Sequence, residues 1–437
     1  MPFRSLGRRP LDPVLRTRTG YLRPVRKRDM RKPRKVVVVS LHYPPDPSTT
    51  ASIMSKIAEH LATERTVLVL SGTPGSQPGA STPSHRPTIV EIGSRIPAKA
   101  KLIRRAAAEA SFTMRASAML LMKLRRGDVV LTVTAPFMLS YAVAATARLK
   151  GARSALIMHD LFPDVLVMAG LLKPTSPLTW ALHGINTLMF CMLDVVVTIG
   201  RDTERLLLRY RGLTRPKIRF IPNWATLAPA VRPIQSSNPY RRPNSARFVV
   251  GLSGNLGFTH DPVIVFEAAR LLREDADIHF LLSGWGIGFE RLKQLQSEAG
   301  LPNVTLVDRV EDGELEQLLS AADIWLIPYR KNVAGVSVPS RFYNLLAVGR
   351  PVIVVSEPDA EAALTVTENN LGWVVRPGMS DDLAKVIRAA SQSADSSMAE
   401  RAVAAAAEFS LDRAMIRYAS LIDGLLQDAK QPGKPNE

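Results

Sequence analysis

Residues 338–357 read VPSRFYNLLAVGRPVIVVSE, and this segment indicates the fold of the whole chain. It opens with a polar loop and continues as a short helical pattern that Gly349 and Pro351 terminate. The run PVIVV is almost entirely apolar, as in a strand that is buried on both faces of a parallel sheet. A loop, a helix and a doubly buried strand in this order are typical of α/β domains with helices on both faces of the sheet.

The loop before the predicted helix carries groups that suit an anionic ligand. Ser337 and Ser340 offer hydroxyls, and Arg341 offers a planar guanidinium beside the N–H groups of a helix start. Charged donors of this kind bind phosphate oxygens through strong hydrogen bonds. The segment therefore predicts a diphosphate site.

Length and composition limit the number of domains and the class of protein. A chain of 437 residues, of which 46% are hydrophobic, is long enough for two ordinary α/β domains. Its single cysteine excludes an internal disulfide and a cysteine-based metal cluster, and fits a reducing compartment such as the cytoplasm. Residues 1–35 contain no apolar segment like that of a secretory signal peptide.

Positive charge is concentrated in two segments. The formal net charge is +18, and residues 1–35 contain thirteen Lys and Arg against two Asp, while residues 95–126 contain nine against one Glu. The remainder of the chain is close to neutral. Nucleic-acid-binding proteins spread basic residues over a folded surface, so this distribution argues against nucleic acid and favours an anionic membrane surface. Solvated disorder without a partner is the alternative for the tail at 1–34.

Residues 99–126 predict a basic amphipathic helix. Apolar residues recur at helical spacing, and four basic residues lie largely off that line. The apolar positions are Ile103, Ala107, Ala110, Met114, Ala118 and Leu121, and the basic ones are Lys101, Arg104, Arg105 and Arg115. Such a helix can lie on an anionic bilayer, or pack on a sheet with a solvated outer face.

The uncharged residues 129–147 do not predict a membrane span. The first part, VVLTVT, is β-branched, Pro136 interrupts the segment, and SYAVAATARL follows as a separate helical pattern. We therefore expect a strand, a turn and a helix.

Polar residues follow two predicted strands of the first half. After VVVVSL, a loop places Asp46, Ser48, Thr49 and Thr50 directly before a helix, where a simple N-cap is the structural alternative. Further on, SALIMHD places His159 and Asp160 at the carboxyl end of a strand, where open α/β sheets hold their ligand groups. Both positions are therefore candidate site residues.

Residues 225–246 contain four prolines and little periodicity, so they predict a linker between two domains. A strand follows, and its end at SGNLG is a turn in which Gly254 and Asn255 bring backbone N–H groups near a phosphate. The expected divisions are a disordered basic tail at 1–34, a first domain at 35–223, a linker at 224–246, a second domain at 247–405, a helix returning to the first domain at 406–427, and a disordered tail at 428–437.

From residue 36 to about residue 425, the chain resembles the retaining glycosyltransferases of the glycogen-synthase-like family, most closely the branch with colanic-acid-type polysaccharide glycosyltransferases. The resemblance rests on IPN at 221–223, SGNLG at 253–257, PSRFYN at 339–344 and the strand and helix order of residues 278–330. It implies an α/β fold with two Rossmann-like domains facing a cleft, called GT-B. It also implies transfer of a sugar, with retention, from a nucleotide-sugar donor to a glycan or lipid-linked acceptor.

The resemblance assigns roles to the candidate residues. His159 and Asp160 are expected at the catalytic centre near the donor sugar. The acceptor-side loop is expected to contain Asp46, Ser48, Thr49 and Thr50. The donor-binding residues are expected to be Gly254, Asn255, His260, Ser337, Pro339, Ser340, Arg341 and Asn344.

Two departures from the family pattern affect the expected chemistry. Asn255 and His260 stand where the family has an arginine and a lysine on the diphosphate, which leaves Arg341 as the main cation. Since only an imidazolium can replace the lysine, we expect His260 to matter less at pH 8 than at pH 6. Val336 and Asn344 stand where the broader family has two glutamates, a feature shared with the colanic-acid-type branch. We expect the Asn344 amide to bond ribose hydroxyls.

Two other function classes remain open. A nucleotide-sugar epimerase or hydrolase on the same fold would act without an acceptor, and the missing glutamates are compatible with a non-catalytic sugar-nucleotide-binding protein. No Asp-x-Asp metal signature occurs near the predicted cleft, so we expect no required metal ion and no cofactor besides the nucleotide-sugar co-substrate. The expected location is cytoplasmic, with peripheral binding to the inner face of the membrane.

Overall fold

The computed structural model describes residues 33–46, 48–72, 86–93, 102–241, 247–393, 395 and 397–428. The expected tails at 1–34 and 428–437 lie almost wholly outside these described residues. From Arg34 onward, the described residues contain two parallel β-sheets. This arrangement confirms the predicted α/β fold of two domains.

The first sheet has the strand order β3-β2-β1-β4-β5-β6-β7 within the described residues. Its central strands are valine-rich and buried on both faces, as the apolar run at its start predicted. The strands are β1 Val36–Ser40, β2 Val67–Gly72, β3 Thr88–Ile92, β4 Val129–Val133, β5 Arg153–Met158, β6 Val195–Thr198 and β7 Ile218–Phe220. The helices between them are α1 Thr49–Ala62, α2 Leu102–Lys123, α3 Phe137–Lys150, α4 Asp164–Met168, α5 Pro177–Met192 and α6 Thr203–Leu207.

The second sheet has the strand order β10-β9-β8-β11-β12-β13. Its strands are β8 Phe248–Asn255, β9 Ile278–Trp285, β10 Val304–Asp308, β11 Ile324–Pro328, β12 Val352–Val355 and β13 Gly372–Val375. The helices of this half are α7 Pro262–Leu271, α8 Ile287–Ala299, α9 Leu315–Ser320, α10 Phe342–Ala347, α11 Glu361–Glu368, α12 Ser380–Gln392 and α13 Ser397–Glu408. In both sheets the strand order reverses beside the first strand, which places ligand sites at the carboxyl ends of the strands.

The last helix, α14 Leu411–Asp428, packs on the first sheet. It buries Met415, Tyr418 and Ile422 against the core of that sheet, while Ala402 and Ala406 of α13 belong to the core of the second sheet. The chain therefore crosses back between α13 and α14, whereas the division expected at 405/406 falls inside α13. The crossing occurs later because the alanine face of α13 still packs on the second sheet.

Residues 129–147 form β4, a turn and most of α3, as the sequence predicted. No helix among the described residues is both long enough and apolar enough to cross a membrane.

The basic helix α2 packs on the first sheet through a different face from the predicted one. It buries Phe112, Ala116 and Leu120, which recur every four residues. Phe112 is the largest side chain of the helix. The predicted apolar line lies outward, and Met114 on that line is 67% exposed. The side chain of Ile103 lies outside the described residues.

Candidate active site

The two halves of the chain touch at loops that follow the carboxyl ends of their strands. Asp160 follows β5 and lies near Ser337 in the loop after β11, since the Ser337 hydroxyl lowers the pKa of its carboxyl. The backbone N–H of Leu161 donates to the Val336 carbonyl, at 3.3 Å. These contacts bring the predicted catalytic pair, His159 and Asp160, to the predicted donor-binding loop at residues 336–341, which we call the donor loop.

His159 lies beside this contact and is half-buried. Its Nε2 atom is buried and has no hydrogen-bond partner among the described residues. Burial lowers the pKa of His159 to about 4, so the imidazole is neutral near pH 7. Burial also raises the pKa of Asp160, against the opposing effect of the Ser337 hydrogen bond. Both side chains can therefore form hydrogen bonds with uncharged hydroxyls, including those of a sugar.

Two more buried polar atoms face the same region without a hydrogen-bond partner in the described part of the chain. They are the hydroxyl of Tyr329, directly after β11, and Oδ1 of Asp202, after β6. Burial, followed by the charges of Asp202 and Asp160, raises the pKa of Tyr329, which keeps its hydroxyl protonated. Buried polar atoms of this kind can be satisfied by the hydroxyls of a bound ligand.

Arg341 lies at the carboxyl ends of β8 and β9. Its Nη1 donates to the Ser253 hydroxyl at 2.6 Å, and its Cζ lies 5.0 Å from the centroid of the Trp285 ring. A Cβ atom at Gly254, whose φ is +142°, would lie 3.3 Å from Arg341 Nε, so the glycine lets the guanidinium lie against the turn. Burial and then the charge of Arg309 lower the pKa of Arg341 to about 10, against the effect of Asp312, and it remains a cation at neutral pH.

Arg309 is a functional candidate that the sequence reasoning missed. Its Cζ lies 4.7 Å from the centroid of the same Trp285 ring, so two guanidinium groups share one indole. No carboxylate within the described residues forms an ion pair with Arg309 or Arg341 at 4.0 Å or less. The signal was available, since Arg309 directly follows β10 at the same sheet edge.

The structure gives His260 a neutral ring. Its Nδ1 lies 3.0 Å from the Thr259 hydroxyl, and its ring packs 5.4 Å from that of Tyr329. Burial and then the positive charge of Arg341 lower the pKa of His260 to about 4. The expectation that His260 matters less at pH 8 than at pH 6 therefore loses its basis, because burial and the charge of Arg341 keep the imidazole neutral at both values. Asn255 is exposed at the end of β8.

The donor loop leads into α10 without a strong helix start. Pro339 and Ser340 are half-buried, and the Pro339 carbonyl accepts from Phe342 N at 3.1 Å. The helix α10 contains only six residues, so its dipole contributes little. Anion binding in this loop therefore depends on side chains, chiefly on Arg341.

Asn344 holds the linker. Its Oδ1 accepts from the backbone N–H of Thr226 at 2.7 Å and of Leu227 at 3.2 Å, and its Nδ2 donates to the Thr226 hydroxyl at 2.9 Å. The side chain is 7% exposed. Both ends of the amide are thus engaged with the linker, which differs from the expected contact with ribose.

The described residues of the loop after β1 form hydrogen bonds with one another. The Asp46 carboxylate lies 2.5 Å from His42 Nδ1 and accepts from Ser48 N at 2.8 Å. Partial burial raises the pKa of Asp46, but the hydrogen bonds from His42 and Ser48 outweigh burial and lower it. Ser48 caps α1 by accepting from Ala51 N, as the structural alternative proposed. Thr49 and Thr50 begin α1, with Thr49 exposed.

An ion-pair network ties the two halves together beside the site. Arg201, after β6, forms bidentate hydrogen bonds with Glu361 of α11, and the Glu361 side chain is 4% exposed. Asp202 Oδ2 accepts from the backbone N–H groups of Gly335 and Glu361, at 2.7 and 3.0 Å. These contacts fix the donor loop against the first half. Among the described residues, no group of three or more His, Cys, Asp or Glu is placed to hold a metal ion.

Comparison with known proteins agrees with this architecture. Residues 48–224 match the family described as glycosyl transferase 4-like domain, and residues 247–393 match the glycosyl transferases group 1. The chain is 28% identical over 291 residues to the probable glycosyltransferase WbjE of Pseudomonas aeruginosa, covering 66% of this chain and 72% of the relative. It is 24% identical over 381 residues to the putative colanic acid biosynthesis glycosyl transferase WcaI of Escherichia coli (strain K12), covering 82% and 92%.

Solved structures share the two-domain arrangement. Anabaena Alr3699/HepE, crystallised with UDP and glucose, has a TM-score of 0.63 at 14% sequence identity, covering 90% of this chain and all of that one. A likeness at this identity concerns the fold. The two matched families lie one on each sheet, and the chain therefore belongs to the group 1 glycosyltransferases with the GT-B fold.

Proposed function

We propose that the protein transfers a sugar from a nucleotide-sugar donor, with retention of anomeric configuration, to a glycan or lipid-linked acceptor in polysaccharide assembly. The observation that carries this proposal is the hydrogen bond from the backbone N–H of Leu161 to the carbonyl of Val336, which joins the loop with His159 and Asp160 in the first half to the donor loop of the second. The named role of WcaI in colanic acid biosynthesis supports polysaccharide assembly as the setting.

The donor diphosphate is proposed to lie at Arg341 and Arg309. The two guanidinium groups over Trp285 provide the charge-assisted donors that a leaving diphosphate needs, in place of the family cations missing at Asn255 and His260. Ser337, Pro339, Ser340 and Gly254 would surround the diphosphate and sugar. We propose that this charge makes a divalent ion unnecessary, and HepE suggests UDP-sugars as the first donors to test.

Retention is proposed to follow from attack on the same face as the leaving group. The positions of the two family glutamates are taken by Val336, which packs in the core of the first half, and by Asn344, which holds the linker. The acceptor hydroxyl would form the new bond to the anomeric carbon as the bond to the diphosphate oxygen breaks, and its proton would pass to that oxygen. His159, which is neutral, and Asp160 would orient the sugar hydroxyls, and the loop with Asp46 would face the acceptor.

A ligand screen followed by product analysis tests this function. A donor present at one hundred times its dissociation constant raises the free energy of unfolding by about 2.7 kcal/mol, so a thermal-shift screen of nucleotide sugars will identify it. With that donor and an acceptor extract, NMR of the product should show the donor's anomeric configuration, with activity kept in EDTA. Inverted product, or release of free sugar at the same rate without acceptor, would contradict the proposal.

Peripheral binding to the inner face of an anionic membrane belongs to the same proposal. A lipid-linked acceptor is confined to a bilayer, so an enzyme that uses one must work at its surface. The basic residues of α2 support this location, because each Lys or Arg near an anionic leaflet is worth about 1 kcal/mol.

A further inference from the structure

The helix α5 leaves an apolar face in solvent. Leu178, Trp180, Ile185 and Leu188 are 57%, 70%, 48% and 63% exposed. Only Thr179, Asn186, Met189 and Phe190 of its sixteen residues are buried. Single exposed apolar residues are ordinary on protein surfaces, but a contiguous row on one helix marks a binding surface.

The outward line of α2 extends this surface. Met114 and Leu121 lie on that line and are 67% and 42% exposed. The helix α2 packs beside α3, and α3 packs beside α5, all on one face of the first sheet. The three helices therefore form one layer, and we call its outer surface the α2–α3–α5 face.

The charge of this face is almost entirely positive. The sequences of the three helices contain a single acidic residue, Glu109, whereas Arg104, Arg115, Lys123 and Arg148 are exposed on them. The opposite side of the same sheet is covered by α1 and α14, which mix acidic and basic residues. On that side Ile416 is the one large apolar residue that is exposed among those described. The combination of apolar and cationic character is thus specific to one face.

The face reaches the edge of the cleft. Asn186, in the middle of α5, donates to the carbonyl of Phe162, which lies after the carboxyl end of β5. Asn186 and Phe162 also line one pocket together with Asp160, and the earlier residues of α5, including Leu178 and Trp180, lie on the turns of the helix before Asn186. A surface that contacts this part of α5 would lie next to the opening of the site.

We propose that the α2–α3–α5 face docks onto an anionic lipid bilayer, with Trp180 and Leu188 at the boundary between headgroups and acyl chains and the arginines on lipid phosphates. Indole rings favour this boundary, and an apolar helix face flanked by cations is the surface that binds it. The docking itself is argued from the exposed residues and their charge. It rests on the proposed function only for what docking would achieve, which is to present a lipid-linked acceptor to the cleft.

Vesicle flotation tests the proposal with a matched control. The full chain is mixed with phosphatidylcholine vesicles, with or without roughly a third of phosphatidylglycerol. The double variant Trp180→Gln/Leu188→Gln changes the face, and Ile416→Gln changes an equally exposed residue on the opposite side of the sheet. All of these positions are exposed, so the variants should melt at the temperature of the unchanged protein.

We expect binding to the anionic vesicles only, weakened by high salt because the lipid contacts are partly electrostatic. The double variant should bind at least tenfold more weakly, and Ile416→Gln should bind as the unchanged protein does. The tryptophan emission should shift to the blue with vesicles, and Trp180→Phe should remove most of the shift.

Equal flotation of the double variant, or no flotation of the unchanged protein, would overturn the proposal. A dimer in sedimentation that the double variant dissociates would also overturn it, by making the face an interface between two copies. Nucleotide binding, measured by calorimetry on the same variants, separates the two proposals, because it should be unchanged if only lipid docking fails.

Discussion

The guanidinium of Arg341 lies over the indole of Trp285, with Cζ 5.0 Å from the ring centroid, and Arg309 lies against the same ring. Arg341 is half-buried, and burial lowers its pKa to about 10, whereas Arg309 is exposed. A cation that is desolvated without forming an ion pair is prepared for an anionic ligand rather than for stability. The predicted diphosphate site of the donor loop thus has a specific geometry.

Arg341→Ala should weaken the binding of a nucleoside diphosphate by about ten- to a hundredfold, which corresponds to one charge-assisted contact. Arg309→Ala should have a smaller effect, because its guanidinium is exposed to water. Calorimetric titration measures both, with the exposed Arg291→Ala on α8 as control and the nucleoside without phosphates as a ligand that should be unaffected. Unchanged affinity in Arg341→Ala would place the phosphates elsewhere.

Asn344→Ala should lower the free energy of unfolding by about 1–3 kcal/mol, since it removes the hydrogen bonds that a buried amide forms with Thr226 and Leu227 of the linker. Urea denaturation measures this loss. Asn303→Ala, which removes one hydrogen bond from an equally buried asparagine, should cost less. A variant Asn344→Ala with normal stability and weakened nucleotide binding would instead support the ribose contact.

Arg201→Ala should destabilise the protein by about 2–4 kcal/mol, because it leaves the buried carboxylate of Glu361 without its guanidinium partner. The loss is smaller than for a fully buried ion pair, because Arg201 is 40% exposed and the Thr365 hydroxyl still donates to Glu361. Arg205→Ala removes an exposed ion pair to Asp359 between the same two halves and should cost less than about 1 kcal/mol. Equal losses of unfolding free energy in the two variants would show that the buried position of Glu361 does not matter.

His260→Ala should weaken diphosphate binding by the same factor at pH 6 and at pH 8. A histidine whose pKa is lowered to about 4 is neutral at both values, since protonation begins only as the pH falls toward that pKa. Titration of the variant and of the unchanged protein at the two pH values gives the comparison. A cost that is larger at pH 6 would show that the imidazolium forms and contacts the phosphates.

Much of the architecture follows from local sequence patterns. The apolar runs at Val36–Ser40 and Val352–Val355 require burial on both faces, so they specify central parallel strands without knowledge of their neighbours. The linker prolines and the strand, turn and helix at 129–147 are equally local signals. Because loops at the carboxyl ends of parallel strands hold ligands, the positions of His159, Asp160 and Arg341 also followed from the pattern.

The partners of these residues depended on contacts between segments far apart in sequence. The spacing of α2 showed an apolar line, but only the sheet decided that Phe112, Ala116 and Leu120 would be buried and Met114 left outside. Arg309 lies near Arg341 because both guanidinium groups contact the ring of Trp285, which ends β9. Asn344 turned toward Thr226, and His260 became neutral beside Arg341. Burial and charge at each of these positions come from residues tens to more than a hundred positions away, and a local pattern carries no information about them.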